Sequence, residues 1–144
     1  DENKLDEQGR PYDLFRKPAF DPIRLLGQNY CSHFSVIRSS LIDEVGGFRT
    51  GFEGSQDYDL ILRASERARK VAHIPAILYH WRVVPGSAAG DVHAKPYAYD
   101  AGKKAVESHF ARHNISVNVE SFQRTTGLFA INSISHTSMV AKLI

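Results

Sequence analysis

The chain has 144 residues, enough for one domain or a large part of one, and its 42% hydrophobic content suffices for a core. Eighteen Lys and Arg nearly balance 16 Asp and Glu, which leaves no field strong enough to hold nucleic acid. The single cysteine, Cys31, excludes an internal disulfide and suits a reducing compartment; no apolar run reaches the about 20 residues that span a bilayer, and the polar, acidic start is no signal peptide.

In chain order, residues 5 to 22 are turn-rich: Gly9-Arg10-Pro11 and Lys17-Pro18 interrupt any regular element and predict a long loop. Pro22 to Leu26 starts a short helix, and Phe34 to Arg38, with its β-branched residues, reads as a strand. A helix is expected over Ser40 to Val45, capped by Ser39 or Ser40 and stopped at Gly46-Gly47. Gln56 to Arg69 is helical in pattern, with Leu60, Ile61, Ala64 and Ala68 on one face and Arg63, Arg67 and Arg69 elsewhere. Val71 to Val84 alternates as a strand interrupted at Pro75, which places His80 near a strand end. Tyr97 to His113 is a second clear helix with Ala101, Ala105, Val106 and Phe110 on its apolar face; Asn114 stops it, and Val117 to Val119 is extended. The last 21 residues, Arg124 to Ile144, contain no acid and read as a tail or the start of a following segment, so the division is 1–123 and 124–144.

Chemistry concentrates in Gly51-Phe-Glu-Gly-Ser-Gln-Asp-Tyr-Asp-Leu-Ile-Leu-Arg63, where Glu53, Asp57 and Asp59 surround the start of a helix. Acids there are either caps or reactive groups. Ser55 can cap the helix while Asp57 and Asp59 complement its dipole, and Asp59 is spaced to pair with Arg63 four residues on. A second acidic cluster opens the chain at Asp1-Glu2-Asn3, and Leu78-Tyr-His-Trp-Arg82 sets a His beside an aromatic and a cation. The clusters can converge on one metal and one base. Cys31 lacks any cationic motif to lower its pKa and reads as a small buried hydrophobe, and the histidines at 73, 93, 109, 113 and 136 show no ligand spacing.

These segments, with Asn29-Tyr30, Leu41-Ile-Asp-Glu-Val-Gly-Gly-Phe48, Gly54-Ser-Gln-Asp-Tyr-Asp-Leu60, His73-Ile-Pro75, Tyr79-His-Trp-Arg-Val-Val-Pro-Gly-Ser87 and Lys95-Pro-Tyr-Ala98, resemble the inverting family-two glycosyltransferases. Their order and spacing cover about two-thirds of the chain. The resemblance implies an α/β chain holding the acceptor-side half of a GT-A fold, a mixed sheet with flanking helices. Asp1-Glu2-Asn3 then matches the metal-binding Asp-x-Asp, and the donor-binding half that precedes it in the family is expected to be absent. No glycine-rich phosphate loop follows an apolar strand here.

The implied reaction moves a sugar from a nucleotide-diphosphate donor to the hydroxyl of a glycan or other acceptor, with inversion. Asp57 matches the family's base, with Gln56 standing where the family has Glu. Asp1, Asn3 and His80 match ligands of Mg²⁺ or Mn²⁺, although Asn3 replaces an Asp and brings an oxygen without charge. Glu53 and Trp81 are candidates for acceptor binding, Trp81 being equally readable as a packed core indole, and Asn29 and His33, just before the Phe34 strand, are candidates for lining the acceptor site. By resemblance the setting is a bacterial cytoplasmic enzyme of cell-surface polysaccharide synthesis, with no membrane span and peripheral to the inner membrane. The competing readings are a catalytically inactive glycan- or partner-binding module and a structural domain whose acids are caps.

Overall fold

The chain opens directly into β1 (Glu2–Leu5), which turns back through residues 6–10 into β2 (Pro11–Phe15); the computed structural model describes residues 1–82, 96–121 and 128–133. The Asp6 carboxylate ties the turn by accepting from the amides of Gln8 (3.0 Å) and Arg10 (2.8 Å) and from Arg10 Nε (2.7 Å), while Gly9 takes a positive φ of 76°. The loop expected over 5 to 22 is therefore a hairpin in its first half. Gly9 supplies the turn, and Pro11 is tolerated because it begins an edge strand, where a missing amide costs no ladder bond.

A third strand, β3 (Tyr79–Arg82), pairs parallel with β1 and completes a mixed sheet of order β2-β1-β3. It is shorter than the strand expected over 71 to 84: Val71 to Leu78 has no regular structure and no ladder pairing, Pro75 lies exposed before the strand, and residues 83 and 84 fall outside the described residues.

Of the four helices among the described residues, the first, third and fourth supply most of the core, while the second buries no residue. The N-cap Asp21 of α1 (Pro22–Gly27) accepts from the amides of Ile23 (2.9 Å) and Arg24 (3.2 Å), with Pro22 in the first turn, where its fixed φ is already helical. In α2 (Ser39–Val45) the expected stop holds, since Gly46 is left-handed (φ 79°) and the amides of Gly46 and Gly47 return to Asp43 and Ile42. Its N-cap position is Arg38, with no side-chain capping bond, so neither Ser39 nor Ser40 caps it.

Phe34 to Arg38 forms no strand. Phe34 is 64% and Val36 83% exposed, and without a partner strand their β propensity has nothing to pack against.

The helix α3 (Gln56–Arg67) buries Tyr58 and Leu62, and its Tyr58 hydroxyl meets the carbonyls of Leu25 (2.5 Å) and Leu26 (3.0 Å), locking the end of α1 onto it. Arg63, expected away from the apolar face, is only 6% exposed. Its burial is possible because its guanidinium pairs with Asp59 (Nε 2.9 Å, Nη2 2.7 Å) and donates to the carbonyls of Val45 and Gly47, both at 2.6 Å, satisfying the open end of α2. Against α3 packs α4 (Pro96–Arg112), whose Ala101, Ala105, Val106 and Phe110 are buried as expected. Asn114 ends the turn after α4 with φ 57°.

At the far ends of α3 and α4, Glu66 accepts from Arg112 and pairs with His109; despite the opposing effect of burial, these contacts hold the Glu66 carboxyl down to about 2. Gly54 is required where the loop before α3 meets α4: its φ is 89°, and a Cβ there would lie 2.8 Å from the Tyr97 ring.

A two-stranded antiparallel sheet closes the core, β4 (Val117–Ser121) against β5 (Phe129–Ser133), with Val119 and Phe129 joining Leu25, Tyr58, Leu62, Val106 and Phe110. Thus the stretch after residue 124 supplies a strand and a core phenylalanine, while residues 122–127 and 134–144 lie outside the described residues. The architecture is mixed α/β, a small mixed sheet beside packed helices.

Candidate functional site

Parallel pairing of β1 and β3 sets Asn3 opposite His80 and Glu2 opposite Tyr79. Side chains alternate across a strand, so Asn3 and His80 share one face while Glu2, Lys4, Tyr79 and Trp81 share the other.

On the first face, Asn3 Oδ1 lies 2.6 Å from His80 Nδ1. An amide oxygen only accepts, so this bond assigns the proton to Nδ1 and leaves the Nε2 lone pair of His80 available. Asp1, two residues before Asn3, is fixed through Oδ1 by the Lys17 amide (3.0 Å) and by His73 Nε2 (2.8 Å). Asp1, Asn3 and His80 offer a carboxylate, an amide oxygen and an imidazole, donor types that Mg²⁺ or Mn²⁺ accepts, with less charge than the usual carboxylate pair; in this arrangement the free Nε2 of His80 faces away from Asn3 Oδ1.

On the second face, Glu2 Oε2 accepts from the His33 amide (2.7 Å), meets His33 Nδ1 at 3.1 Å and lies 3.8 Å from Lys17 Nζ. Burial works to raise the Glu2 carboxyl, but the bonds from His33 and the charge of Lys17 win and hold it below the usual carboxylate range. Burial pushes the Lys17 ammonium down, with Glu2 opposing. The His33 ring stacks on Tyr79 (centroids 5.0 Å, 17°) and tilts against Trp81 at 4.8 Å. Together they form an aromatic wall with a charged base, the kind of surface on which a sugar ring can stack.

The loop that carries His33 also carries Asn29, whose Nδ2 donates to Asp57 Oδ2 at 3.0 Å. Asp57 sits in the first turn of α3, half-buried, and among the described residues no cation pairs with it. Asn29 Oδ1 is buried without a hydrogen-bond partner among the described residues. The capping assignment for Ser55 fails, because its hydroxyl donates instead to the Ala98 carbonyl (2.7 Å) of α4. Asp59, one turn-step further, takes the other role considered for these acids: its carboxylate is fully buried and receives both Arg63 and Arg49. Burial would raise it, yet these two guanidiniums keep it below the ordinary Asp range. Glu53 is exposed and accepts from the Gly51 amide of its own loop at 2.9 Å.

No protein-family model matches the chain. It is similar to the uncharacterized protein y4gI of Sinorhizobium fredii (strain NBRC 101917 / NGR234), at 50% identity over 114 residues, 78% of this chain and 12% of that protein. It is also similar to the O-antigen biosynthesis protein RfbC of Myxococcus xanthus, at 39% identity over 121 residues, 84% of this chain and 10% of that protein. The chain spans about a tenth of the length of these curated relatives.

Of the residues singled out from sequence, the structure brings together Asn3 with His80, Asn29 with Asp57, and His33 with Trp81. Among the described residues no hydrogen bond or ion pair joins Asp57 to Asp1, Asn3 or His80; what connects the groups is the 28–35 loop, tied to Asp57 at Asn29 and to β1 at His33. Glu2 and Tyr79 lie inside the quoted motifs without a role assigned from sequence, and no local signal marks Lys17, which donates to the His33 carbonyl (2.6 Å). Glu66, His109 and His113 also gather, which corrects the expectation that these histidines show no ligand spacing: the four-residue step from His109 to His113 is the sequence signal for it. Burial pushes the Cys31 thiol up, as befits a packing residue. No helix among the described residues is long and apolar enough to cross a membrane.

Proposed function

We propose that this chain is the acceptor-side part of a glycosyltransferase domain within a longer enzyme of polysaccharide biosynthesis, transferring a sugar from a nucleotide diphosphate to an acceptor hydroxyl with inversion. The observation that carries the reading is the contrast within one helical turn: Asp59 is neutralised by two guanidiniums, whereas Asp57 is oriented by an amide and, among the described residues, meets no cation. A carboxylate held in direction but not in charge suits a base that takes a proton from a hydroxyl as it attacks. The RfbC protein's part in O-antigen biosynthesis supports the polysaccharide setting, and with it a cytoplasmic site at the inner membrane.

In this mechanism Asp57 accepts the acceptor's proton while Asn29 fixes the direction of its carboxylate. The His33, Tyr79 and Trp81 wall holds a sugar face, and Lys17 and Glu2 set the position of His33. Asp1, Asn3 and His80 would hold Mg²⁺ or Mn²⁺, which when bound stabilises the departing diphosphate. A binding-only glycan module is the second reading, favoured by Asn3, which subtracts one charge from the metal set.

The test is to incubate the complete protein with a panel of nucleotide-diphosphate sugars, Mn²⁺ and hydroxyl acceptors, following nucleotide release and the product's anomeric configuration. Acceptor-dependent release with an inverted product is expected. A retained configuration, or glycan binding with no transfer from any donor, contradicts the proposal.

A further inference from the structure

Away from this site, the ends of α3 and α4 bring three metal-capable side chains together. Glu66 lies one residue before the end of α3, His109 in the last turn of α4, and His113 just beyond it; one ligand atom from each lies within 4.8 Å of the others. A spacing of four residues puts the two imidazoles on one side of the helix, and their ring centroids are 4.6 Å apart.

Hydrogen bonds already select the tautomers. His113 Nδ1 is 2.9 Å from the His109 backbone carbonyl, and His109 Nδ1 is 2.7 Å from Glu66 Oε1. Neither oxygen donates, so each Nδ1 carries the proton and each Nε2 keeps its lone pair. Backing an imidazole with a carboxylate in this way fixes its ring and raises its basicity as a ligand. The end of a helix is also its negative pole, which favours a cation. Arg112 donates to both oxygens of the same carboxylate (Nε to Oε2, 3.0 Å; Nη2 to Oε1, 2.5 Å), so Glu66 stays ionised beside His109, while the guanidinium charge works against affinity.

We propose that His109 and His113, with the Glu66 carboxylate backing His109, form a binding site for a borderline divalent transition-metal ion of the zinc class. Two imidazole Nε2 atoms, with water completing the shell, suit Zn²⁺, Ni²⁺ or Cu²⁺ and disfavour Mg²⁺, which demands oxygen ligands. The site is independent of the proposed sugar transfer. It joins α3 to α4, so occupancy raises the melting temperature.

The experiment titrates ZnCl₂ into the untagged, chelator-cleared full chain by calorimetry, with MgCl₂ in excess throughout, beside the His113→Gln and Glu66→Gln variants. Expected are one-to-one binding with Kd below about 100 µM, a loss of at least about tenfold in both variants, and a Zn²⁺-dependent rise in melting temperature that His113→Gln abolishes. His113 is exposed, so its variant is expected to melt like the wild type without metal and to report on binding alone. Absence of saturable binding in the wild type, or a His113→Gln protein that keeps wild-type Zn²⁺ affinity, overturns the proposal.

Discussion

Asp57 and Asp59 stand two residues apart on α3, and their surroundings have nothing in common. Asp59 is 0% exposed, paired with Arg63 four residues on and with Arg49 from the preceding loop; Arg63 in turn closes the carbonyl end of α2. Asp57 faces the 28–35 loop, where one amide meets it. Two acids in one turn of helix thus divide into a structural knot and a group that meets no cation among the described residues. The difference teaches that local sequence sets which residues are acidic, while the partners that decide their role arrive from distant loops.

The largest effect is expected at the knot. Asp59→Ala leaves one buried and one half-exposed guanidinium unpaired, and removing one partner of such a pair costs about 3–5 kcal/mol, to be measured by urea unfolding. A loss under about 1 kcal/mol, the range of exposed pairs, would mean that the pairing contributes little and that the contrast with Asp57 is false.

The same carboxylate predicts an acid limit. Its folded pKa lies below its ordinary value of 3.8, so its contribution to stability is complete above that value and is lost as pH falls through the lower, folded one. Melting temperature is therefore expected to fall below about pH 4, and Asp59→Asn should remove part of that slope. An unchanged slope would place the acid-sensitive group elsewhere.

A smaller effect on stability, with a larger one on rate, is expected at Asn29. Asn29→Ala removes the bond to Asp57 but also removes the buried, unpartnered Oδ1, so the two changes offset and stability moves by less than about 1 kcal/mol. If the orienting bond matters only as the reaction proceeds, turnover falls by about 10- to 100-fold, the equivalent of one charge-assisted hydrogen bond. Equal losses of turnover and stability would make Asn29 a packing residue.

Much of the helical part was legible because long periodic segments report their own environment. The apolar face of α4, the Asp21-Pro22 start of α1 and the Gly46 stop of α2 are all encoded within a few residues of where they act. Strands were read less well, since pairing depends on a partner: β2 hid behind the breakers Gly9 and Pro11, and Phe34 to Arg38 has strand-like residues but no neighbouring strand. Arg63 was placed by its charge on the outside, and only the arrival of Asp59 and the α2 carbonyls makes its burial possible.

Asp57 and His80 are singled out through a family resemblance, and the Asp59–Arg63 pair through its spacing, which the structure shows as an ion pair. The Glu2, Lys17 and His33 cluster is built from segments some 15 residues apart, which periodicity does not register.

The central claim is that Asp57 is kept unneutralised to act as a base. Asp57→Asn and Asp59→Asn, made in the complete protein and compared for kcat, donor affinity and melting temperature, test it most directly. The account predicts that Asp57→Asn loses about 10²- to 10⁴-fold in kcat with donor affinity and melting temperature nearly unchanged, while Asp59→Asn lowers the melting temperature. An Asp57→Asn protein that keeps more than about a tenth of wild-type kcat, less than the smallest loss expected for a general base, would contradict it.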